Sequence, residues 1–185
     1  MSTLRCYDSV TADAIPAAPV VLGYVDGDYR TYDALETRFR DSSTKVISST
    51  VAGDVESIMA DCEEGNMLPP EVATWTIKKL HRNERPTIYG SVDYLMACRS
   101  QLLSLRIHPS LVDWFLADYR QVAPEFRDVD WFRRLPRGYV GWQFANSISL
   151  NGHTIDASIV SMKWARHHGW TGRRLTTPLK LKACS

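Results

Sequence analysis

The sequence has no excess of charge of either sign and no long uninterrupted hydrophobic run. With 22 Lys and Arg against 21 Asp and Glu, the 185 residues carry a formal charge of +1. Such a balance gives no indication of a nucleic-acid or membrane-surface partner. The longest apolar stretch, residues 17–25, is interrupted by Pro19 and Gly23 and is too short to span a bilayer. We therefore expect neither nucleic acid nor membrane among the partners.

Cysteine and histidine are sparse and are not arranged as ligand sets. The four cysteines are Cys6, Cys62, Cys98 and Cys184; no pair forms C-x-x-C, and no zinc or redox spacing is present. We expect buried free thiols in a protein made in a reducing cytosol. The five histidines are scattered, so no metal and no cofactor are expected. The N-terminus has no basic segment followed by an apolar one, so no secretory signal is expected.

Short apolar or β-branched runs alternate with helical stretches, which indicates an α/β fold. Eight runs are predicted as strands: residues 4–8, 20–25, 45–50, 57–63, 86–90, 113–118, 139–144 and 155–160. Helices are predicted over residues 32–40, 69–82 and 91–105. Strands that alternate with helices predict a parallel sheet with buried faces. We expect a TIM-like (β/α) barrel of eight strands, with a reduced set of outer helices because 185 residues are few for a full set.

Acidic residues end or begin several of the predicted strands. Asp8 ends the first strand, Asp61 and Glu63 end the fourth, and Asp156 begins the last. In such a barrel the side chains at the carboxyl ends of the strands meet at one mouth, where the chemistry takes place. Strand alternation points Asp61 and Glu63 to the same side, with α-carbons roughly 6.6 Å apart. Each acid taken singly is also compatible with a loop position or a helix cap.

Two carboxylates at that distance favour glycosidase chemistry. Repulsion and partial burial raise at least one pKa, so one group stays protonated as a general acid while the other is ionised. The spacing lies between the ~5–5.5 Å of retaining enzymes and the ~6.5–9.5 Å of inverting enzymes, and it also allows attack by an acetamido oxygen of the sugar itself. Aromatic residues near strand ends offer stacking surfaces for sugar rings, although each is also compatible with core packing: Tyr24, Tyr89, Trp114, Tyr119 and Trp142.

Seven short motifs together resemble the family 25 glycoside hydrolases. They are YDS (7–9), VLGYVDG (21–27), ADCEEGN (60–66), PTIYGS (86–91), WFLADY (114–119), GWQFA (141–145) and IDASIV (155–160), in order over about residues 4–165. The nearest resemblance is to short actinobacterial and phage-borne members, which are lysozyme-type N-acetylmuramidases on a modified (β/α) barrel. The chain departs from that family at its first strand, which reads RCYDS where a glycine-isoleucine-aspartate start is usual.

The resemblance implies a role for each acid and a substrate for the site. Glu63 is implied as the general acid/base, and Asp61 as the residue that positions the acetamido group or stabilises oxocarbenium-like charge. Asp8 and Asp156 are implied as flanking acids of the same cleft, because the first and last strands of a closed barrel are neighbours. The expected substrate-binding residues are Tyr24, Tyr89, Trp114, Tyr119, Trp142 and Gln143. The expected reaction is hydrolysis of β-1,4 bonds in peptidoglycan or a related wall glycan, after lysis or from a phage particle.

Two other functions stay open at this point. The chain is also compatible with a non-catalytic component of a phage particle that keeps the barrel for glycan binding or for contacts with other virion proteins. A nuclease or phosphatase that uses the acids with Mg²⁺ is a third possibility, although no phosphate-binding motif supports it. The presence of all four acids favours the enzyme.

The end of the chain is basic. Residues 169–185 hold Arg173, Arg174, Lys180 and Lys182 and contain no acid. We expect residues 1–168 to form the barrel and residues 169–185 to form a basic C-terminal tail. Such a tail is compatible with wrapping around the barrel, with an assembly contact, or with salt-sensitive binding of an anionic wall polymer.

Overall fold

The strands and helices follow one another in chain order around a single curled sheet. The computed structural model describes residues 3–40, 44–53, 56–119, 135, 137–150 and 152–172. Its strands are β1 (Thr3–Asp8), β2 (Val20–Tyr24), β3 (Thr44–Ser49), β4 (Met59–Cys62), β5 (Thr87–Ser91), β6 (Asp113–Ala117), β7 (Gly141–Leu150) and β8 (His153–Ser161). Its helices are α1 (Tyr32–Arg38), α2 (Pro69–His81), α3 (Val92–Ser104) and α4 (Met162–His167), with short 3-10 turns at Ala12–Ala14 and Pro109–Leu111.

The direction of the last strand distinguishes this sheet from a TIM barrel. Strands β1 to β7 pair in chain order and run parallel. Strand β8 runs antiparallel to both β7 and β1 and completes the ring of strand pairs. The predicted α/β class with a reduced set of helices is therefore confirmed, but the predicted TIM-like barrel is not, because seven parallel strands are joined by one antiparallel strand.

The connection between β7 and β8 explains this departure. The two strands are separated by only residues 151 and 152, and Gly152 has a φ of +81°. A two-residue turn joins antiparallel strands, whereas a parallel pair needs a crossover of a dozen residues or more. Asn-Gly is also the dipeptide that most strongly favours such a hairpin.

Local sequence signals explain where the two long helices begin. The backbone N–H of Leu68 donates to the Glu71 carboxylate (2.8 Å) ahead of a proline-initiated first turn in α2. The hydroxyl oxygen of Ser91 accepts a hydrogen bond from the Tyr94 N–H (3.4 Å) at the start of α3. In α3 the buried residues Leu95, Cys98 and Leu102 recur at helical spacing, so one face packs against the sheet.

Two hydrophobic clusters cover the two faces of the sheet, as strand alternation requires. The outer cluster joins the sheet to the first three helices and includes Leu35, Trp75, Leu95, Trp114 and Trp142. The inner cluster fills the interior of the curled sheet and includes Cys6, Leu22, Met59, Phe115 and Val160. The opposite end of the interior, at the carboxyl ends of β1 to β6, is left for polar side chains.

Helix α4 closes the inner cluster at the amino-terminal end of the parallel strands. Trp164 is 2% exposed, packs in the inner cluster and donates its indole N–H to the Thr87 hydroxyl (2.9 Å). Trp170, which follows α4, packs against the same cluster. The basic residues of the predicted tail, from 173 onward, lie outside the described residues, and the boundary at residue 168 stays a prediction. No helix in the described part of the chain is long and apolar enough to cross a membrane.

Candidate active site

Four carboxyl groups converge at the carboxyl ends of the parallel strands. Asp8 and Asp156 are direct register partners on the antiparallel pair β1 and β8, which places their α-carbons about 4.5–5.5 Å apart. The carboxyl group of Asp8 also interacts electrostatically with Glu63, and that of Asp61 interacts with both Glu63 and Asp8. The structure therefore brings together the four acids that the sequence placed at strand ends.

Asp8 and Asp61 form the buried half of this acid cluster. Their side chains are only 5% and 2% exposed, and among the described residues Oδ1 of each has no hydrogen-bond partner. Burial, together with the neighbouring carboxyl groups, raises the pKa of both well above its ordinary value. Desolvation and like charge both disfavour ionisation, so these two positions retain protons more strongly than a solvated aspartate.

Glu63 and Asp156 form the more accessible half and have hydrogen-bond donors. Burial raises the pKa of Glu63, a hydrogen bond from the Tyr89 hydroxyl opposes that shift, and Asp156 adds to it. Burial also raises the pKa of Asp156, while hydrogen bonds from the backbone N–H of Ser147 (2.8 Å) and from the side chain of Gln143 lower it. Carboxyl groups in such different surroundings ionise at different pH values, which is what an acid and its assisting carboxylate require.

The turn after β4 fixes the position of Asp61. The Asn66 side-chain amide donates to Asp61 Oδ2 (2.9 Å), and the backbone N–H of Met67 donates to the Asp61 carbonyl (3.2 Å). Gly65 has a φ of +87°, a conformation that side chains rarely adopt. Asn66, which ends the ADCEEGN motif, was not among the predicted site residues.

A bulge in β7 orients Asp156. The pairing of β7 with β8 shifts register between Ala145 and Ile148, and Ser147 within that interval has a φ of +56°. The backbone N–H of Ser147 is thereby directed at Asp156 Oδ1. Bulges commonly redirect groups next to functional sites, and nothing in the sequence pattern predicts this one.

Three tyrosines and a glutamine lie beside the acids. Burial first, and then the charges of all four acids, raise the pKa of Tyr24 well above its ordinary value. The hydroxyl groups of Tyr89 and Tyr119 are 3.0 Å apart, and Tyr119 is 39% exposed at the rim. Gln143 is 3% exposed and contacts Asp156. These four are among the six residues predicted to bind substrate.

The other two predicted substrate-binding residues lie on the opposite face of the sheet. Trp114 packs in the outer cluster, donates its indole N–H to the Pro109 carbonyl (3.1 Å) and has the Arg99 guanidinium over its ring at 4.7 Å. Trp142 packs in the same cluster and donates to the Asp118 carbonyl (3.1 Å). The placement of both tryptophans at the mouth was therefore wrong, because each is one residue out of phase with the inward-facing positions Phe115 and Gln143.

A separate cavity of about 380 Å³ lies near the start of β6, away from the acids. Arg85, Arg99 and Trp114 are among its lining residues. The Arg85 Nε donates to the Asp113 carboxylate (2.8 Å). One of the two arginines that line the cavity is therefore already paired with an acid. Within the described residues, no group of three or more His, Cys, Asp or Glu side chains is arranged to hold a metal ion.

Comparisons with known proteins show a shared fold. No family model matches the chain, and no curated protein matches it, so the resemblance to family 25 glycoside hydrolases stays a hypothesis. The CTP1L endolysin aligns over 90% of this chain and 69% of its own, with a TM-score of 0.50 and 10% identity. The Clostridium perfringens spore cortex lytic enzyme SleM aligns over 88% of this chain and 69% of its own, with a TM-score of 0.52 and 9% identity. The chain thus has the fold of two lytic enzymes.

Proposed function

We propose that this protein is a muramidase-like cell-wall hydrolase that cleaves β-1,4 glycosidic bonds in peptidoglycan. The observation that carries the proposal is the cluster of four carboxyl groups at the strand ends, two of them buried with an unpartnered oxygen. The fold shared with an endolysin and a cortex lytic enzyme supports a substrate in the cell wall. The enzyme would act after lysis or as part of a phage particle, with residues 1–168 as the hydrolase unit.

Glu63 is the proposed general acid. It is half-buried, and burial raises its pKa, so it holds a proton more strongly than a solvated glutamate while it stays accessible from solvent. Protonating the glycosidic oxygen makes the departing sugar a neutral alcohol. After bond cleavage the ionised Glu63 removes a proton from the attacking water and returns to its starting state.

Asp61 is the proposed assisting carboxylate. Burial and Glu63 disfavour the ionised form of Asp61 and so raise its pKa, and positive charge that develops on the sugar beside the carboxylate offsets that cost. The stabilisation is therefore larger in the transition state than in the ground state, which is the condition for a rate gain. The hydrogen bond from Asn66 holds one Asp61 oxygen in place, so the other remains available for the acetamido N–H of the substrate.

Asp8 and Asp156 maintain the electrostatic conditions for this chemistry. They face each other across β1 and β8, and the charge of Asp156 contributes to the raised pKa of Glu63. Like charges so close do not ionise independently. Asp156 therefore strengthens the hold of Glu63 on its proton, and Asp8 is coupled to Glu63 through its own raised pKa.

Product analysis tests this proposal. Purified peptidoglycan is incubated with the protein, the products are reduced with borohydride, and mass spectrometry identifies the sugar at each new reducing end. The proposal predicts fragments that end in reduced muramic acid. Fragments that end in glucosamine, or products cut in the peptide stems alone, would contradict it.

A further inference from the structure

Two buried thiols meet between β4 and α3. The Sγ atoms of Cys62 and Cys98 are 3.4 Å apart, and the side chains are 0% and 1% exposed. Both cysteines are free. Cys62 is the last residue of β4, and Cys98 lies in the middle of α3. The contact therefore joins the end of β4 to α3, a helix that packs against the neighbouring strands β5 and β6.

The position of Cys62 connects this contact to the acid cluster. Cys62 stands between Asp61 and Glu63 in the chain and packs in the outer cluster, on the face opposite to the acids. The backbone of the neighbouring strand β5 lies close to that of Cys62, since a Cβ atom added at Gly90 would be only 2.7 Å from the Cys62 carbonyl oxygen. Any link through Cys62 consequently restrains the backbone that carries both proposed catalytic side chains.

We propose that Cys62 and Cys98 form a disulfide that fastens the acid-bearing end of β4 to α3 once the protein leaves a reducing compartment. A disulfide has a sulfur–sulfur distance of about 2.05 Å, so the present separation of 3.4 Å has to close by roughly 1.4 Å. Rotation of the two cysteine side chains, whose sulfur atoms are already in contact, has to supply that movement. The change of compartment rests on the proposed wall function, whereas the pairing itself rests on the geometry.

The oxidant is a small disulfide such as oxidised glutathione. One cysteine thiolate attacks a glutathione sulfur, forms a mixed disulfide and releases one glutathione thiolate. The second cysteine thiolate attacks the protein sulfur of that mixed disulfide and releases the other. Two cysteine thiols are oxidised, one glutathione disulfide is reduced to two thiols, and the two cysteine protons pass to the departing glutathiones.

The folded protein protects the pair from rapid oxidation. The contact with the Cys98 thiol, followed by burial, raises the pKa of Cys62, and a thiol rather than a thiolate is a poor nucleophile. The bond therefore forms after release from the reducing compartment, when β4 and α3 open locally or when the chain refolds under oxidising conditions. Once formed, it closes a loop across 36 positions of sequence, which restricts the unfolded chain and raises Tm by about 5–10 °C.

Refolding in a redox buffer tests the proposal independently of activity. A Cys184→Ser variant, which removes the cysteine outside the described residues, is refolded from urea in oxidised and reduced glutathione. Remaining thiols are alkylated, and peptides are mapped by mass spectrometry. We expect a linked Cys62–Cys98 peptide in most molecules, and Cys6, the buried thiol on β1, recovered as the alkylated form.

Two matched variants complete the test. In the same background, Cys98→Ser removes the partner thiol, whereas Cys6→Ser removes a buried thiol from the inner cluster. The Tm difference between oxidised and reduced protein should persist in Cys6→Ser and disappear in Cys98→Ser. Natively folded, oxidised protein without the Cys62–Cys98 peptide, or a linked protein whose Tm does not rise, overturns the proposal. Failure of both the linked and the reduced protein to cleave peptidoglycan contradicts the proposed function instead.

Discussion

Replacing Asp8 with asparagine should make the protein more stable while weakening its activity. The Asp8 side chain is 5% exposed, and its Oδ1 has no hydrogen-bond partner in the part of the chain that the structure describes. Burial and the charges of Asp156 and Glu63 raise its pKa. Asparagine has nearly the same shape and no charge. The variant therefore removes an unfavourable buried charge and leaves little change in packing.

The pH dependence of this gain follows from the sign of the pKa shift. Because the pKa of Asp8 is higher in the folded than in the unfolded protein, ionisation favours unfolding. The cost of the wild-type carboxyl is absent below the unfolded pKa and grows as pH rises toward and through the folded pKa. The advantage of Asp8→Asn should therefore be near zero at about pH 3.5 and largest at neutral pH and above.

We expect the gain at pH 7.5 to be about 1–2 kcal/mol in the free energy of unfolding, the usual size when a destabilising active-site group is removed. For a chain of this length that gain corresponds to a rise in Tm of roughly 2–8 °C. Urea denaturation at pH 3.5 and pH 7.5 measures it, with Asp28→Asn, at an exposed acid, as the control. Lower stability of Asp8→Asn at pH 7.5, or an equal gain at both pH values, would show that the Asp8 carboxyl does not destabilise the folded protein through its charge.

Three further predictions concern the acid cluster, Tyr119 beside it, and His168, which follows α4. Asn66→Ala should lower kcat at least tenfold, with a smaller effect on KM, because Asp61 loses the hydrogen-bond donor that holds its carboxylate in place. Steady-state assays measure both constants, and a change confined to KM would contradict the positioning role of Asn66. Tyr119→Phe should weaken binding of wall-glycan fragments more than Trp142→Phe, because Tyr119 lies beside the acids and Trp142 packs on the outer face of the sheet. Equal losses of affinity in calorimetric titrations would contradict a substrate-binding role for Tyr119. Burial lowers the pKa of His168 to about 4, so the neutral form stabilises the fold above about pH 6.5, and the free energy of unfolding should fall by about 1–2 kcal/mol between pH 7 and pH 5. Urea denaturation of His168→Gln should show a smaller fall over the same range. A variant with the same pH dependence as the wild type would contradict the lowered pKa.

Periodicity predicted most elements of the fold but not the direction of the last strand. The predicted helices over 32–40, 69–82 and 91–105 correspond to α1, α2 and α3, because each has a buried stripe or clear end signals. Helix α4 was not predicted, since six residues are too few for a periodic pattern to appear. The antiparallel β8 was readable from the Asn-Gly dipeptide after β7, but a regular strand-helix alternation suggested a uniform parallel barrel.

The acids were predictable because strand ends carry them in the sequence, whereas the face of each aromatic residue was not. Trp114 and Trp142 are near strand ends, but a shift of one residue moves a side chain to the other face of a sheet. The donors to Asp61 and Asp156 were missed for a different reason. Asn66 acts through a turn, and Ser147 acts through its backbone N–H at a bulge, and neither geometry is encoded in residue type alone.

The proposed role of Glu63 as the general acid of a wall-glycan hydrolase is tested by one pair of variants. Glu63→Gln and Glu64→Gln are compared with the wild type for the rate at which new reducing ends appear in purified peptidoglycan. The adjacent Glu64 is exposed and, as the next residue along the chain, is the matched control. We expect Glu63→Gln to lower the rate by about 10²–10⁴-fold and Glu64→Gln to change it less than twofold. A Glu63→Gln protein that is folded and retains most of the wild-type rate would show that Glu63 is not the general acid.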